Sequence, residues 1–263
     1  MVVARRMMDL GTETAFEVLA KARALEARGR EIIHLEIGEP DFDTPQHIVE
    51  AGVSALREGY THYGPTPGLP ELREAIARNS REVRGMDTDP IQVVVTPGAK
   101  PIMFYVILAL AERGVEVIYP NPGFPIYESM IRFSGATPVP MRLLEEKSYH
   151  PDLDDLARKI TNRTRLLILN SPGNPCGSVL SREELETIAG LVKTNQGLYV
   201  LADEIYGPLD HDGSHRAFAL DYPEGTVTTS GLSKWCGAGG WRLGVMHVPE
   251  ALGNEIFSRL LGI

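Results

Sequence analysis

Residues 226–244 read TVTTSGLSKWCGAGGWRLG, and the reading of this stretch decides how the rest of the chain is organised. Thr226-Val227-Thr228-Thr229-Ser230 is a short β-branched run that reads as a strand, so Lys234 emerges on the loop beyond the strand's end. The glycines at 237, 239 and 240 let backbone approach a ligand closely, and Trp241-Arg242 then add an aromatic ring and a fixed positive charge. On its own, a lysine in a glycine-rich turn is a solvated surface lysine. Whether Lys234 has chemistry to perform depends on what the other strand ends bring to it.

Composition narrows the setting. The chain has 263 residues, 43% of them hydrophobic, enough to bury a large core. A formal net charge of −9, without a basic run or stripe, argues against a nucleic-acid surface. The two cysteines, Cys176 and Cys236, lack metal-ligand spacing and read as small buried thiols, so no metal is expected. Neither a secretory segment nor an apolar stretch long enough to cross a bilayer is visible, which makes the cytoplasm the expected compartment and a membrane an unexpected partner.

Working outward from residue 226, apolar β-branched runs at 92–96, 115–119, 137–141, 165–170 and 198–203 alternate with helical stretches near 101–113, 124–133, 152–160 and 181–193. This is the pattern of a mostly parallel α/β sheet sandwiched by helices, whose ligand sites lie outside the carboxyl ends of the strands. Nearer the N-terminus, Ala15, Phe16, Leu19, Ala20, Ala24 and Leu25 have helical spacing and Gly29 reads as a stop, giving a helical arm that leads into a short strand at 32–35. With this strand and the one at 226–230, about seven strands are expected. Two rigid loops follow, at 38–45 and 60–68; a helix begins at Pro45, and another runs through Leu72, Ile76 and Ala77. A last helix is expected over 249–261.

Several polar groups fall at the predicted strand ends. Thr96-Pro97-Gly98-Ala99-Lys100-Pro101 joins a strand to a helix, and free first-turn N–H groups with the helix dipole suit a phosphate. Asn174 is held between Gly173 and Pro175, so that its amide is fixed to donate to an oxygen. Asp203 closes the apolar strand 198–203 and needs a partner there, with Tyr206 three residues on; a helix N-cap and a half-buried core phenol are their structural alternatives. An amine, a carboxylate, a phenol, an amide, an arginine and a phosphate-type turn on one sheet edge fit an aromatic, phosphorylated aldehyde cofactor, namely pyridoxal 5′-phosphate.

The ordered motifs GEPDFDTP (38–45), YTHYGPTPG (60–68), NSPGNPCG (170–177), ADEIY (202–206) and SGLSKWCGAGGWRLG (230–244) resemble those of class I/II aminotransferases, fold-type-I enzymes that use pyridoxal phosphate. The resemblance spans essentially the whole chain. It implies that Lys234 is the Schiff-base lysine and proton carrier, that Asp203 partners the pyridine nitrogen, and that Tyr206 and Asn174 donate to the phenolate oxygen. Phosphate contacts would come from Gly98, Ala99, Lys100 and Arg242, and Phe124 would stack on the ring. Tyr63 would reach the neighbouring subunit's phosphate in a homodimer, and Gly38 and Asn174 would lie against the substrate. Where many relatives have a phosphate-binding serine this chain has Gly231, so that one hydroxyl contact to the phosphate is either missing or replaced by Ser233.

The same resemblance divides the chain into an N-terminal arm with a small-domain segment at 1–46 and a cofactor-binding large domain at 47–263. A C-terminal small domain carrying the arginine for the substrate's α-carboxylate is expected to lie beyond Ile263. The expected reaction moves the amino group of an amino acid to a 2-oxo acid. A C–S β-lyase or another carbanion reaction on the same cofactor is the catalytic alternative, since a shared site does not fix the carbanion's fate. An inactive cofactor-binding or dimerising fragment is the non-enzymatic one. A regulator domain of the same fold ranks below both, because no helix-turn-helix precedes residue 1.

Overall fold

In the computed structural model, which describes residues 3–11 and 14–253, eight strands form one sheet in the order β1-β8-β7-β6-β5-β2-β3-β4. They are β1 Val93–Pro97, β2 Glu116–Asn121, β3 Thr137–Leu144, β4 His150–Pro151, β5 Thr164–Asn170, β6 Tyr199–Asp203, β7 Thr226–Gly231 and β8 Leu243–His247. β7, β6, β5, β2 and β3 are successively parallel, whereas β8 is antiparallel to both β1 and β7, and β4 is antiparallel to β3. The carboxyl ends of β1, β7, β6, β5 and β2 therefore share one edge, and β8 starts from it.

Helices α1 Thr14–Glu26, α2 Gln46–Arg57 and α3 Pro70–Arg84 precede the sheet, and α4 Lys100–Leu110, α5 Ile126–Ser134, α6 Leu153–Lys159 and α7 Arg182–Lys193 connect its strands. The capping signals act as their chemistry dictates. Ser181 and Glu184 form a reciprocal capping box on α7, and Asp152 caps α6 through the Asp155 N–H.

Strand side chains alternate between two cores, as a period of two requires. Ile168, Leu201, Val227 and Met246 pack with α4 and α5. Leu167, Leu169, Val200 and Ala202 pack with α6, α7 and Phe218. α3 lays Ala77 over Val93 and Val245 on a third, smaller patch. Fully burying each such Leu, Ile or Val contributes roughly 1.5–3 kcal/mol.

The expected sheet forms with three changes. The run at 32–35 joins no strand, and Ile33 and Leu35 are 85% and 88% exposed, while His34 between them bonds the carboxylates of Glu26 and Glu36: so short and largely uncovered a run gains little from an extended pairing. β8 and the two-residue β4 add strands where the sequence reads as loop, which makes eight in place of about seven. The last expected helix is present at 250–253, and its remainder lies outside the described residues. Among the described residues no helix is long and apolar enough to cross a membrane.

Candidate active site

Four connections meet at the edge where the parallel strands end: the Gly98 turn after β1, the Asn174 loop after β5, the Asp203 turn after β6 and the β7–β8 connection, which carries Lys234 and then Arg242. Register aligns them, since Asn170 lies beside Asp203 and Asp203 beside Thr229.

Asp203 is the most constrained group. It is 2% exposed, and its Oδ2 accepts a hydrogen bond of 2.6 Å from the Tyr127 hydroxyl, while Oδ1 takes a long one of 3.5 Å from the Ile205 N–H. Burial pushes its carboxyl up to about 6, and the bond from Tyr127 opposes that rise. Among the described residues no cation pairs with it. Thr229 Oγ1, from the neighbouring strand on the same face, is buried without a hydrogen-bond partner among them. Asp203 caps no helix, so the structural alternative raised by its position is not realised.

Tyr206 and Asn174 are brought together, with Asn174 Nδ2 donating to the Tyr206 hydroxyl at 3.2 Å. Burial and then the charge of Asp203 raise the phenol's pKa, and the bond from Asn174 acts against them. Asn174 is itself fixed by Asn170, whose Oδ1 accepts from the Asn174 N–H at 2.7 Å while its Nδ2 donates to the Asp203 carbonyl at 2.9 Å. One amide thus ties the β5 loop to the β6 end.

Lys234 is half-buried. Its Nζ lies 5.8 Å from the Tyr206 ring centroid and donates to the Gly38 carbonyl at 2.9 Å. The 38–45 loop is clamped onto the lysine turn by Thr44 Oγ1, which donates to the Gly237 carbonyl at 2.6 Å. Ser233 is half-buried beside the lysine. Gly231 has a steric reason: a β-carbon there would come within 2.7 Å of the Leu243 carbonyl oxygen, so β8 leaves no room for the serine that the resemblance leads one to look for.

The turn after β1 is positively flanked. Gly98 has φ +90°, and a β-carbon on it would lie 2.0 Å from Arg242 Nη2, so the guanidinium sits directly against the turn. Ala99 is the N-cap of α4 and Lys100 its first residue, which places the helix's positive end at the same point. The Lys100 ammonium lies over the rings of Phe16 and Phe124, at 5.9 and 6.0 Å. Phe124 packs edge-on to Tyr127 with ring centroids 5.8 Å apart.

Tyr63 is the one candidate residue outside this cluster; its side chain is fully exposed at the tip of the 60–68 loop. Burial raises the pKa of both thiols, Cys236 buried and Cys176 half-buried, which keeps them protonated and poorly nucleophilic. A cavity of about 260 Å³ lies at the opposite end of β7, lined by Met86, Leu220, Thr228 and His247 among others, and none of the strand-end groups borders it. Among the described residues no cluster of His, Cys, Asp and Glu is arranged to hold a metal.

Sequence reading overlooks two members of the site, Tyr127 and Asn170. The usable signal for Tyr127 is its place three residues after Phe124, whose carbonyl accepts the Tyr127 N–H at 3.1 Å where α5 begins.

An amine, a buried carboxylate and the start of a helix meet at the carboxyl edge of a parallel sheet, which defines the class of protein, an α/β fold with its ligand-type groups at the strand ends. Residues 30–261 match the family described as aminotransferase class I and II, and the chain belongs to that family. It is 37% identical over 260 residues to a probable aspartate/prephenate aminotransferase of Aquifex aeolicus, covering 97% of this chain and 66% of that protein. It is 39% identical over 248 residues to the aspartate/prephenate aminotransferase of Thermus thermophilus, covering 94% and 64%. Among solved structures, aspartate aminotransferase from Thermus thermophilus with maleate superposes with a TM-score of 0.93 at 36% identity, covering 99% of this chain and 69% of that one. Alanine aminotransferase from Pyrococcus furiosus gives 0.92 at 34%, covering 99% and 68%. The chain thus spans about two thirds of the length of the relatives it matches.

Proposed function

We propose that this protein is an aminotransferase that binds pyridoxal 5′-phosphate and moves the amino group of an amino acid to a 2-oxo acid. The observation that carries the reading is a buried carboxylate, Asp203, that among the described residues meets only neutral donors, on the same strand-end edge as the Lys234 amine, which lies over the ring of Tyr206. The residues present fit the group. Lys234 would hold its aldehyde, and Asp203 its ring nitrogen. Asn174 and Tyr206 would donate to its phenolate oxygen, and Gly98, Ala99, Lys100 and Arg242 would hold its phosphate. Phe124 would face the ring, and the orphaned Thr229 hydroxyl lies on the same sheet face as Asp203.

When bound, pyridoxal phosphate supplies a carbonyl carbon that takes up amino groups and a protonated ring that accepts electron density from the substrate's α carbon. The chain's own part is positional and acid–base. Lys234, beside the point where it would hold the aldehyde, would also carry a proton to or from the substrate's α carbon. Asp203, whose carboxyl is pushed up to about 6, would hold a proton on the ring nitrogen by its charge above that pH. Asn174 orients Tyr206, and the Gly38 carbonyl orients the lysine amine before cofactor is bound. Ser233, next to Lys234, stands in place of the hydroxyl that Gly231 lacks.

We also propose a homodimer in which the exposed Tyr63 reaches the partner's phosphate site, with 1–46 as arm and small-domain segment and 47–263 as the cofactor-binding domain. The test is to add aspartate, alanine or an aromatic amino acid, each with 2-oxoglutarate, to the chain saturated with pyridoxal phosphate. Formation of glutamate, lost in Lys234→Ala, supports the reading. Release of ammonia without need of the oxo acid points to a lyase, and binding without turnover to a fragment that only holds cofactor.

A further inference from the structure

Behind the turn that carries Asp203 and Tyr206, on the opposite face of the sheet, lies a buried polar cluster that the proposed chemistry does not use. Glu204 is 3% exposed. Its Oε1 accepts from the Phe218 N–H at 2.9 Å, and its Oε2 lies against the guanidinium of Arg84, the last residue of α3. His215 Nε2 stands 3.6 Å from the same oxygen. The ring of His215 also fills the space beside Gly207, where a β-carbon would come within 2.8 Å of Nε2. Glu204 and His215 thus form the back wall of residues 203–207.

The rest of that turn is held by backbone. The Glu204 N–H donates to the Thr229 carbonyl at 3.1 Å and the Gly207 N–H to the Glu204 carbonyl at 3.0 Å. Asn170 Nδ2 fixes the Asp203 carbonyl. These bonds set the turn's height along the strand, while its depth through the sheet depends on where the Glu204 carboxylate is anchored. Arg84 supplies the cation for that anchor, from a helix that donates no side chain to the site. Without the guanidinium, a carboxylate buried to this degree must take a proton or admit water, and either response moves the turn. A shift of about 1 Å is enough to spoil a positioned site.

We propose that Arg84, acting through Glu204 and His215, is a positioning residue that sets Asp203 and Tyr206 against the cofactor. The inference rests on the reading of the front face as a pyridoxal phosphate site, and it gives the buried ion pair a role that apolar packing would not fill.

The test uses the full 263-residue chain as wild type, Arg84→Met, Arg84→Lys and Glu204→Gln, with two readouts. The first is titration with pyridoxal phosphate. The second is hydrogen exchange of peptides covering 203–209, compared with a control peptide over 164–170, without added cofactor. Arg84→Met and Glu204→Gln are expected to weaken cofactor binding about tenfold and to lose protection at 203–209 selectively, while Arg84→Lys recovers most of both. Should Arg84→Met not fold, Glu204→Gln and Arg84→Lys carry the test. Variants that melt at lower temperature yet bind cofactor with wild-type affinity and lose protection evenly would overturn the proposal, leaving Arg84 a structural ion pair. If the wild type itself binds no pyridoxal phosphate, the cofactor reading fails, and exchange decides alone: selective loss at 203–209 keeps Arg84 as the anchor of the turn, and uniform loss removes it.

Discussion

Asp203 and Glu204 are consecutive carboxylates, 2% and 3% exposed, turned to opposite sides of one sheet. Glu204 has a built-in partner in Arg84 and a backbone donor in Phe218. Asp203 meets a phenol and one distant N–H, and burial pushes its carboxyl up to about 6. The contrast separates scaffold from site. A buried charge matched within the fold holds the structure, whereas a buried charge given only neutral donors marks where a cationic ligand gains most.

The largest expected effect breaks the front half of this contrast. Asp203→Asn keeps the shape and removes the charge, so transamination should fall about 1000-fold, roughly 4 kcal/mol of barrier, with urea unfolding at neutral pH unchanged or slightly improved. Retained activity would show that the carboxylate's charge is not used. On the back, Arg84→Met should cost about 3 kcal/mol in urea unfolding by leaving Glu204 unpaired, and adding Glu204→Leu should return much of it. A single variant as stable as wild type would contradict the pairing.

Acid sharpens the comparison next. Burial, and after it the charge of Arg84, lower His247 to about 3 and His215 to about 4. Both folded values lie below the unfolded value of about 6.5, so the unfolded chain takes up protons first and stability is lost as pH falls from about 6.5 towards 4. Each histidine contributes a slope of roughly 1.4 kcal/mol per pH unit. Asp203 has the opposite sign: its folded pKa is raised, so below about 6 the native state binds the proton first and offsets one histidine. Urea midpoints at pH 7, 6, 5 and 4 should therefore drop more steeply in Asp203→Asn than in wild type, and parallel curves would count against the buried-carboxylate account. The smallest effect is expected from Gly98→Ala, whose β-carbon displaces the Arg242 guanidinium. Affinity for pyridoxal phosphate should fall about tenfold, with a stability change near 1 kcal/mol; titration by absorbance checks it.

The central parallel strands β5 and β6 are legible in sequence because they are near-continuous aliphatic runs buried on both faces, as Leu166-Leu167-Ile168-Leu169 shows. β8 is not, because Leu243–His247 follows directly on a glycine-rich loop and carries a histidine at its end. Lys234, Asp203, Asn174, Gly98 and Arg242 can be found because each stands at a strand end next to local breakers. Tyr127 cannot be found that way: it meets Asp203 from 76 positions away, through a strand order that sets β2 two places from β6. Arg84 reads as one more basic residue in the last turn of an amphipathic helix, and only the packing of α3 on the sheet turns it inward.

The most direct test of the central claim is to incubate the chain with pyridoxal phosphate, fix any amine-linked aldehyde with borohydride, and map the adduct by peptide mass spectrometry. The account predicts one phosphopyridoxyl group, on Lys234, at stoichiometric occupancy. An adduct spread over surface lysines, or none at all, would contradict it.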